Sequence, residues 1–310
     1  MSRPGMRGRE EAIASVEPAP GQGFEKWMGF LSGFVAPLTV VTALLFYFGY
    51  VSTREFFLYF GIDVDLIGLG SQEFVMRSPG ALFIPVMVLL LLSAGLLVGH
   101  RMLRRRLVEE PVAVAGRVVA TIAWSGIGLV LGGLLVAFLG PVLADGGVAQ
   151  LITPVLLAVG AGLCAYAAST ARARGASLSR TVVVLLVLVM VAGTFWATAT
   201  VAQWWGRGQA RAVASDFTVL PAVVLDTRER LAPGNDAITF HELDVPDADG
   251  GATYGFRYFG LRLLAQGDGR LYLVPDRWSP NASTIVVPYD DVRVRFRFVP
   301  DADPPSGSRR

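Results

Sequence analysis

Three carboxylates stand close together in one peculiar stretch of this chain: Asp63, Asp65 and Glu73. Asp63 and Asp65 are two residues apart, which puts both on one side of an extended backbone and suits a shared hard cation. An oxygen-lined calcium loop needs more acids at regular spacing than this stretch supplies. The competing reading is that the acids cap short helices or pair with Arg54 and Arg77. Either way they are the chain's candidate ligand-site residues.

A second group is Arg293, Arg295 and Arg297, which alternate with Val292, Val294, Phe296 and Phe298. Alternation predicts a strand with the apolar set turned to a core and the arginines turned outward. Such a ladder can grip anionic headgroups or cell-envelope polymers. It can equally be a solvated edge paired with Asp290, Asp291 or Asp301 that discourages edge aggregation.

Beyond these, reactive groups are scarce. Ala123-Trp124-Ser125-Gly126 faintly resembles the serine motif of rhomboid-type proteases, but no histidine lies at a matching depth to serve as its base. Glu109 and Glu110 have no ligand histidines nearby, and no phosphate-binding glycine loop occurs. Cys164 is the single cysteine, so no intrachain disulfide or thiolate metal site can form. The chain carries no catalytic constellation and calls for no cofactor or metal, so the expectation is a protein that is not an enzyme.

The elements that position these residues are dominated by apolar runs. The 310 residues are 53% hydrophobic and only 17% charged, too few charges for the surface of a soluble chain of this size. Uncharged stretches at 28–51, 80–99, 118–144, 147–170 and 181–205 are each long enough to cross a hydrocarbon core of about 30 Å as a helix. Five transmembrane helices are therefore expected, with Trp204 and Trp205 closing the fifth as an interface anchor. The segment 52–79 is too polar at Asp63 and Asp65 to span, and too apolar at Phe56, Phe57, Phe60 and Phe74 for a solvated loop. It is expected to be an interfacial outer loop.

Loop charges give an orientation. Twelve basic residues fall in the N-terminal tail and in the segments joining runs two to three and four to five, whereas the alternate loops hold only Arg54 and Arg77. The positive-inside bias predicts a cytoplasmic N-terminus and an extracytoplasmic C-terminus. No ionisable residue lies mid-span, which disfavours proton-coupled transport. Small residues at Gly128 and Gly132 in the third run, and at Ala158 and Gly162 in the fourth, are candidate helix-packing positions. They suit either packing of helices three and four within one chain or homodimerisation.

Residues 206–300 change character to short alternating and β-branched runs. The clearest is a hairpin, Leu261–Gln266 then Arg270–Val274 about Gly267-Asp268-Gly269. This predicts a small all-β domain, barrel or sandwich, that lies outside the cytoplasm. Residues 1–27 and 301–310 read as polar, Pro- and Gly-rich disordered tails.

Tyr59-Phe60-Gly61-Ile62-Asp63, Leu69-Gly70-Ser71-Gln72-Glu73-Phe74, and the C-terminal Tyr272-Leu273-Val274-Pro275-Asp276-Arg277-Trp278 resemble segments of uncharacterised actinobacterial multi-pass membrane proteins with a C-terminal extracytoplasmic β domain. The resemblance implies a bacterial plasma-membrane location and transfers no activity. The expected function is a non-enzymatic accessory, scaffold or sensing subunit that displays the β domain. Its partners are the lipid bilayer, with a membrane-protein partner or a second copy, and no nucleic acid. The alternative is an uncoupled oligomeric channel or facilitator for a small solute.

Overall fold

Peptide groups in hydrocarbon must bond within their own segment, so an uncharged run of this length has helix as its only open-chain solution. In the computed structural model the chain runs through α1 (Gln22–Tyr59), α2 (Ser71–Glu109), α3 (Val112–Leu143), α4 (Ala149–Ala173) and α5 (Arg180–Ser215). Six strands follow: β1 (Ala222–Thr227), β2 (Thr239–Glu242), β3 (Phe256–Gly267), β4 (Arg270–Pro275), β5 (Ile285–Pro288) and β6 (Val292–Arg297). The structure describes residues 22–109, 112–143, 149–231, 237–243, 254–278 and 282–297, with the backbone alone for 22–37, 103–104, 106–109, 112–113, 141–143 and 297. Most of the expected N-terminal tail and all of the C-terminal one lie outside these residues.

Four of the helices, α2 to α5, are long and apolar enough to cross a membrane. The fifth expected span, 28–51, falls on α1, where the side chains of 22–37 lie outside the described residues. Residues up to Leu44 form a unit of their own, the first part of α1, in which Thr42 Oγ1 donates to the Leu38 carbonyl at 2.9 Å. The second unit, from Leu45 onward, holds everything else. Its helices expose Leu90, Leu91, Leu92, Leu96 and Leu97 by 57–71%. An apolar surface of that kind belongs in lipid.

Close backbone approach holds α3, α4 and α5 together. A Cβ on Gly160 would stand 2.7 Å from the Gly126 carbonyl oxygen, and one on Gly193 would stand 2.9 Å from the Ala158 nitrogen. Lipid supplies no hydrophobic drive for helix association, so such glycines let van der Waals contact do it.

Two expectations about the helix ends need correction. The segment 52–79 is not a loop: α1 continues to Tyr59 and α2 begins at Ser71, leaving only 60–70 between them. Likewise α5 runs to Ser215, so Trp204 and Trp205 do not close it. Trp205 instead packs on Gly80 and joins a cluster of Phe48, Ala81, Ala199 and Ala202 from α1, α2 and α5. The reason is protein burial rather than an interface. The apolar residues past the uncharged runs, Phe57, Phe74 and Ala210 among them, sit in one core with residues of the β domain.

That core is the junction on which the fold turns. Phe60, Ile62, Val64 and Ile67 of the α1–α2 turn pack with Phe217, Tyr272 and Val274. Tyr272, 1% exposed, donates its hydroxyl to the Leu66 carbonyl at 2.6 Å, and Thr284 Oγ1 donates to the Phe60 carbonyl at 2.7 Å. Gly267 comes so close to the turn that a Cβ there would stand 2.0 Å from the Ile67 carbonyl oxygen. An ion pair, Arg207 Nε to Glu55 Oε2 at 2.7 Å, ties α5 to α1 just beneath.

The six strands form one antiparallel sheet in the order β5-β4-β3-β1-β6, with β2 beside β3. The expected hairpin is present. Gly267 pairs with Arg270, and both central turn residues have positive φ, Asp268 at 48° and Gly269 at 68°, the two-residue turn that suits strand twist. One face of the sheet holds its own core of Val223, Leu225, Tyr258, Leu261, Leu271 and Leu273. The other face is divided: Tyr272 and Val274 on β4 meet the helices, while Asp226 on β1 and Arg257 on β3 lie in register further along. On β6, Val292 is buried and Val294 half-buried as alternation predicts, but Phe296 is 42% exposed. Among the described residues β6 is an edge strand, with no further strand beyond it. Phe298 lies outside the described residues.

Gly267→Ala should destabilise the docked β domain by about 1–3 kcal/mol, because backbone rather than a flexible side chain must move. Hydrogen exchange across 60–70 should quicken, while Gly128→Ala, which has open space around it, should leave it unchanged.

Candidate functional site

The acidic candidates fall in and beside the α1–α2 turn. Asp63 caps a short 3-10 turn, Val64–Leu66, its Oδ1 accepting from the Asp65 backbone nitrogen at 3.2 Å. Both oxygens of Asp65 lie 3.4 Å from the Tyr50 hydroxyl, which donates to them. Glu73 is exposed in the first turn of α2, where the positive end of the helix dipole favours an acid. Arg77 lies over the Phe57 ring at 5.9 Å. Among the described residues no three His, Cys, Asp or Glu side chains are grouped to hold a metal ion. In the fold Asp63 caps the 3-10 turn and Asp65 accepts from Tyr50.

A cavity of about 530 Å³ opens at the same junction, lined by Tyr59, Phe60, Leu66, Tyr272, Trp278 and Val286 among others. The hydroxyls of Tyr272 and Thr284 at its wall are already engaged by turn carbonyls. Its wall mixes aromatic and aliphatic side chains with the hydroxyl-bearing Tyr59, Ser283 and Thr284, and no acid or base is among its lining residues.

The strongest electrostatic feature is elsewhere, on the far half of the divided sheet face. Asp226 is 2% exposed on β1 and is held between two strands. Arg257 of β3 donates through Nε at 2.7 Å and Nη2 at 3.1 Å to its two oxygens, and Arg295 of β6 donates Nη2 to Oδ2 at 2.8 Å. Burial pushes the Asp226 carboxyl up, but the Arg257 hydrogen bonds and the charges of Arg295 and Arg257 outweigh it and hold it below the usual carboxylate range. Beside this triad, Arg293 lies 4.8 Å and Arg228 5.8 Å from the centre of the Tyr254 ring. Arg297 occupies the register position opposite Ala222, and its side chain lies outside the described residues.

The packing candidates divide. Ala158 and Gly162 face α5: a Cβ on Gly162 would stand 3.1 Å from Met190 Sδ. Gly128 and Gly132 have nothing within 4 Å, and α3 meets α4 through Gly126 and Gly133 instead. Between α2 and α4, His100 Nδ1 and the Tyr166 hydroxyl are 3.0 Å apart.

Asp226 and Arg257 were not among the sequence candidates. The signal was present in Ala222-Val223-Val224-Leu225-Asp226-Thr227: a carboxylate inside an otherwise apolar strand needs a buried partner, and arginines at alternate positions of another strand can supply it. No family model, curated protein or solved structure matches the chain.

Asp226→Asn should lower stability by about 1–3 kcal/mol, since the half-buried Arg257 loses its charged hydrogen-bond partner while the exposed Arg295 can turn to solvent. Because the Asp226 pKa is depressed on folding, its contribution is present above the ordinary carboxylate range and is lost as pH falls through and below about 4. Thermal unfolding of wild type against pH should show this loss, and Asp226→Asn should be flatter over that range.

Proposed function

We propose that this chain is a non-enzymatic accessory, scaffold or sensing subunit of a bacterial plasma membrane. Five spans, α1 included, anchor it, with the N-terminus cytoplasmic and the antiparallel β-sheet domain outside. The observation that carries this reading is the junction at 60–70, where the β domain is clamped to α1, α2 and α5 by a shared core and two hydrogen bonds to turn carbonyls. A domain merely tethered by α5 would need none of this. A clamped one transmits load or ligand binding at the sheet directly to three membrane helices. The absence of mid-span ionisable groups in the sequence agrees with a role other than ion-coupled transport.

The uncovered Gly128 and Gly132 favour a second reading, an oligomeric channel or facilitator assembled through α3. Native-lipid particles that hold one copy without an aqueous path would count against it. The leading reading requires an outside C-terminus. A reporter that matures only outside the cytoplasm, fused after Arg310, should be active, and a cytoplasm-specific reporter at the same place should be silent. The opposite pattern would overturn it. Capture in mild detergent should recover a membrane-protein partner in fixed ratio.

A further inference from the structure

We infer that the arginine-bearing half of the sheet face is a docking surface for the anionic headgroups of the membrane that holds the protein. The inference rests on the membrane-spanning reading of the helices but not on which side the β domain occupies. Its first support is the divided sheet face. Strand alternation and register put Asp226, Arg257, Arg293 and Arg295 on the face whose other half, Tyr272 and Val274, rests on the helix ends. The surface that looks down onto the helices therefore continues past them, one to three strands further along, with arginines on it. Each strand pair turns by roughly 20–25°, so β3 and β1 keep much of that direction and β6 meets the bilayer obliquely.

Height is the second support. Past the uncharged runs, α1 continues for eight residues, α2 begins nine residues early and α5 continues for ten. At about 1.5 Å per residue all three reach roughly 12–15 Å beyond the hydrocarbon. Headgroups fill about 5–7 Å of that, and the remainder is about one Debye length at physiological salt.

Composition is the third. Among the described residues, the strand positions on this half carry Arg257, Arg293 and Arg295, with Asp226 held between Arg257 and Arg295, while Arg262 on the same face is paired with Asp276. The exposed Asp290 and Asp291 fall in the 3-10 turn before β6, not on the strand. Tyr254, set between Arg228 and Arg293, adds the amphipathic ring that membrane interfaces favour. Guanidinium forks suit phosphate oxygens, and Asp226 holds Arg257 and Arg295 in place for them.

The test is hydrogen exchange of the full chain in nanodiscs of phosphatidylcholine alone or with phosphatidylglycerol. Amides of 292–297 should exchange at least about fivefold more slowly in the anionic discs, with 270–275 unchanged. The difference should vanish in high salt and in the Arg293→Gln/Arg295→Gln variant, and persist in Arg293→Lys/Arg295→Lys. Equal exchange of 292–297 in both discs would overturn the inference, as would slowing that survives the glutamine variant. Slowing produced only by soluble polyphosphate would overturn it in favour of a soluble polyanion. The spans report separately: unprotected amides across α2 to α5 would refute the membrane reading itself.

Discussion

Everything above the membrane depends on one contact, the burial of the turn between α1 and α2 against the β domain. A turn of eleven residues, 60–70, carries backbone carbonyls that its own hydrogen bonds leave with spare acceptor capacity. Tyr272 and Thr284 take two of them, at Leu66 and Phe60. A buried hydroxyl without a partner is costly, so these bonds fix where the sheet can sit as well as holding it there. Gly267 supplies the space, because any side chain would hold β3 away from Ile67. The core of aromatic rings around Phe57, Phe60 and Trp278 then excludes water from the junction.

The charges follow the same division of labour. Glu55 and Arg207 pair where α1 and α5 leave the apolar region, and Asp226 is neutralised by arginines from both neighbouring strands. In the membrane-crossing part, close approaches are made at glycines and alanines, threonine hydroxyls bond back along their own helices, as Thr194 does to the Met190 carbonyl, and the Tyr166 hydroxyl meets His100 between α4 and α2. Polar groups thus concentrate at the junction and on one sheet face.

Much of the architecture was legible from residue order. Uncharged runs locate α2 to α5 because hydrocarbon permits no other solution, and Gly267-Asp268-Gly269 locates the hairpin because only that turn chemistry fits two positive-φ positions. The helix ends were not legible. Phe56, Phe57 and Phe60 looked interfacial because a single sequence cannot distinguish apolar residues that meet lipid from apolar residues that meet a domain 150 or more residues away. Trp205 was misplaced for the same reason. In the site, Asp63 could be read as a cap from its position, whereas the Asp226 triad needed strand register across β3, β1 and β6, which alternation alone does not fix.

The central claim is that the β domain is clamped to the helices and does not hang from α5. Electron–electron resonance distances between spin labels at Met76 on α2 and Arg270 on β4, with Cys164 replaced by serine and the full chain in lipid nanodiscs, test it most directly. A single narrow distance distribution is expected. A broad distribution would contradict the account, since it would mean that the turn at 60–70 does not hold the sheet.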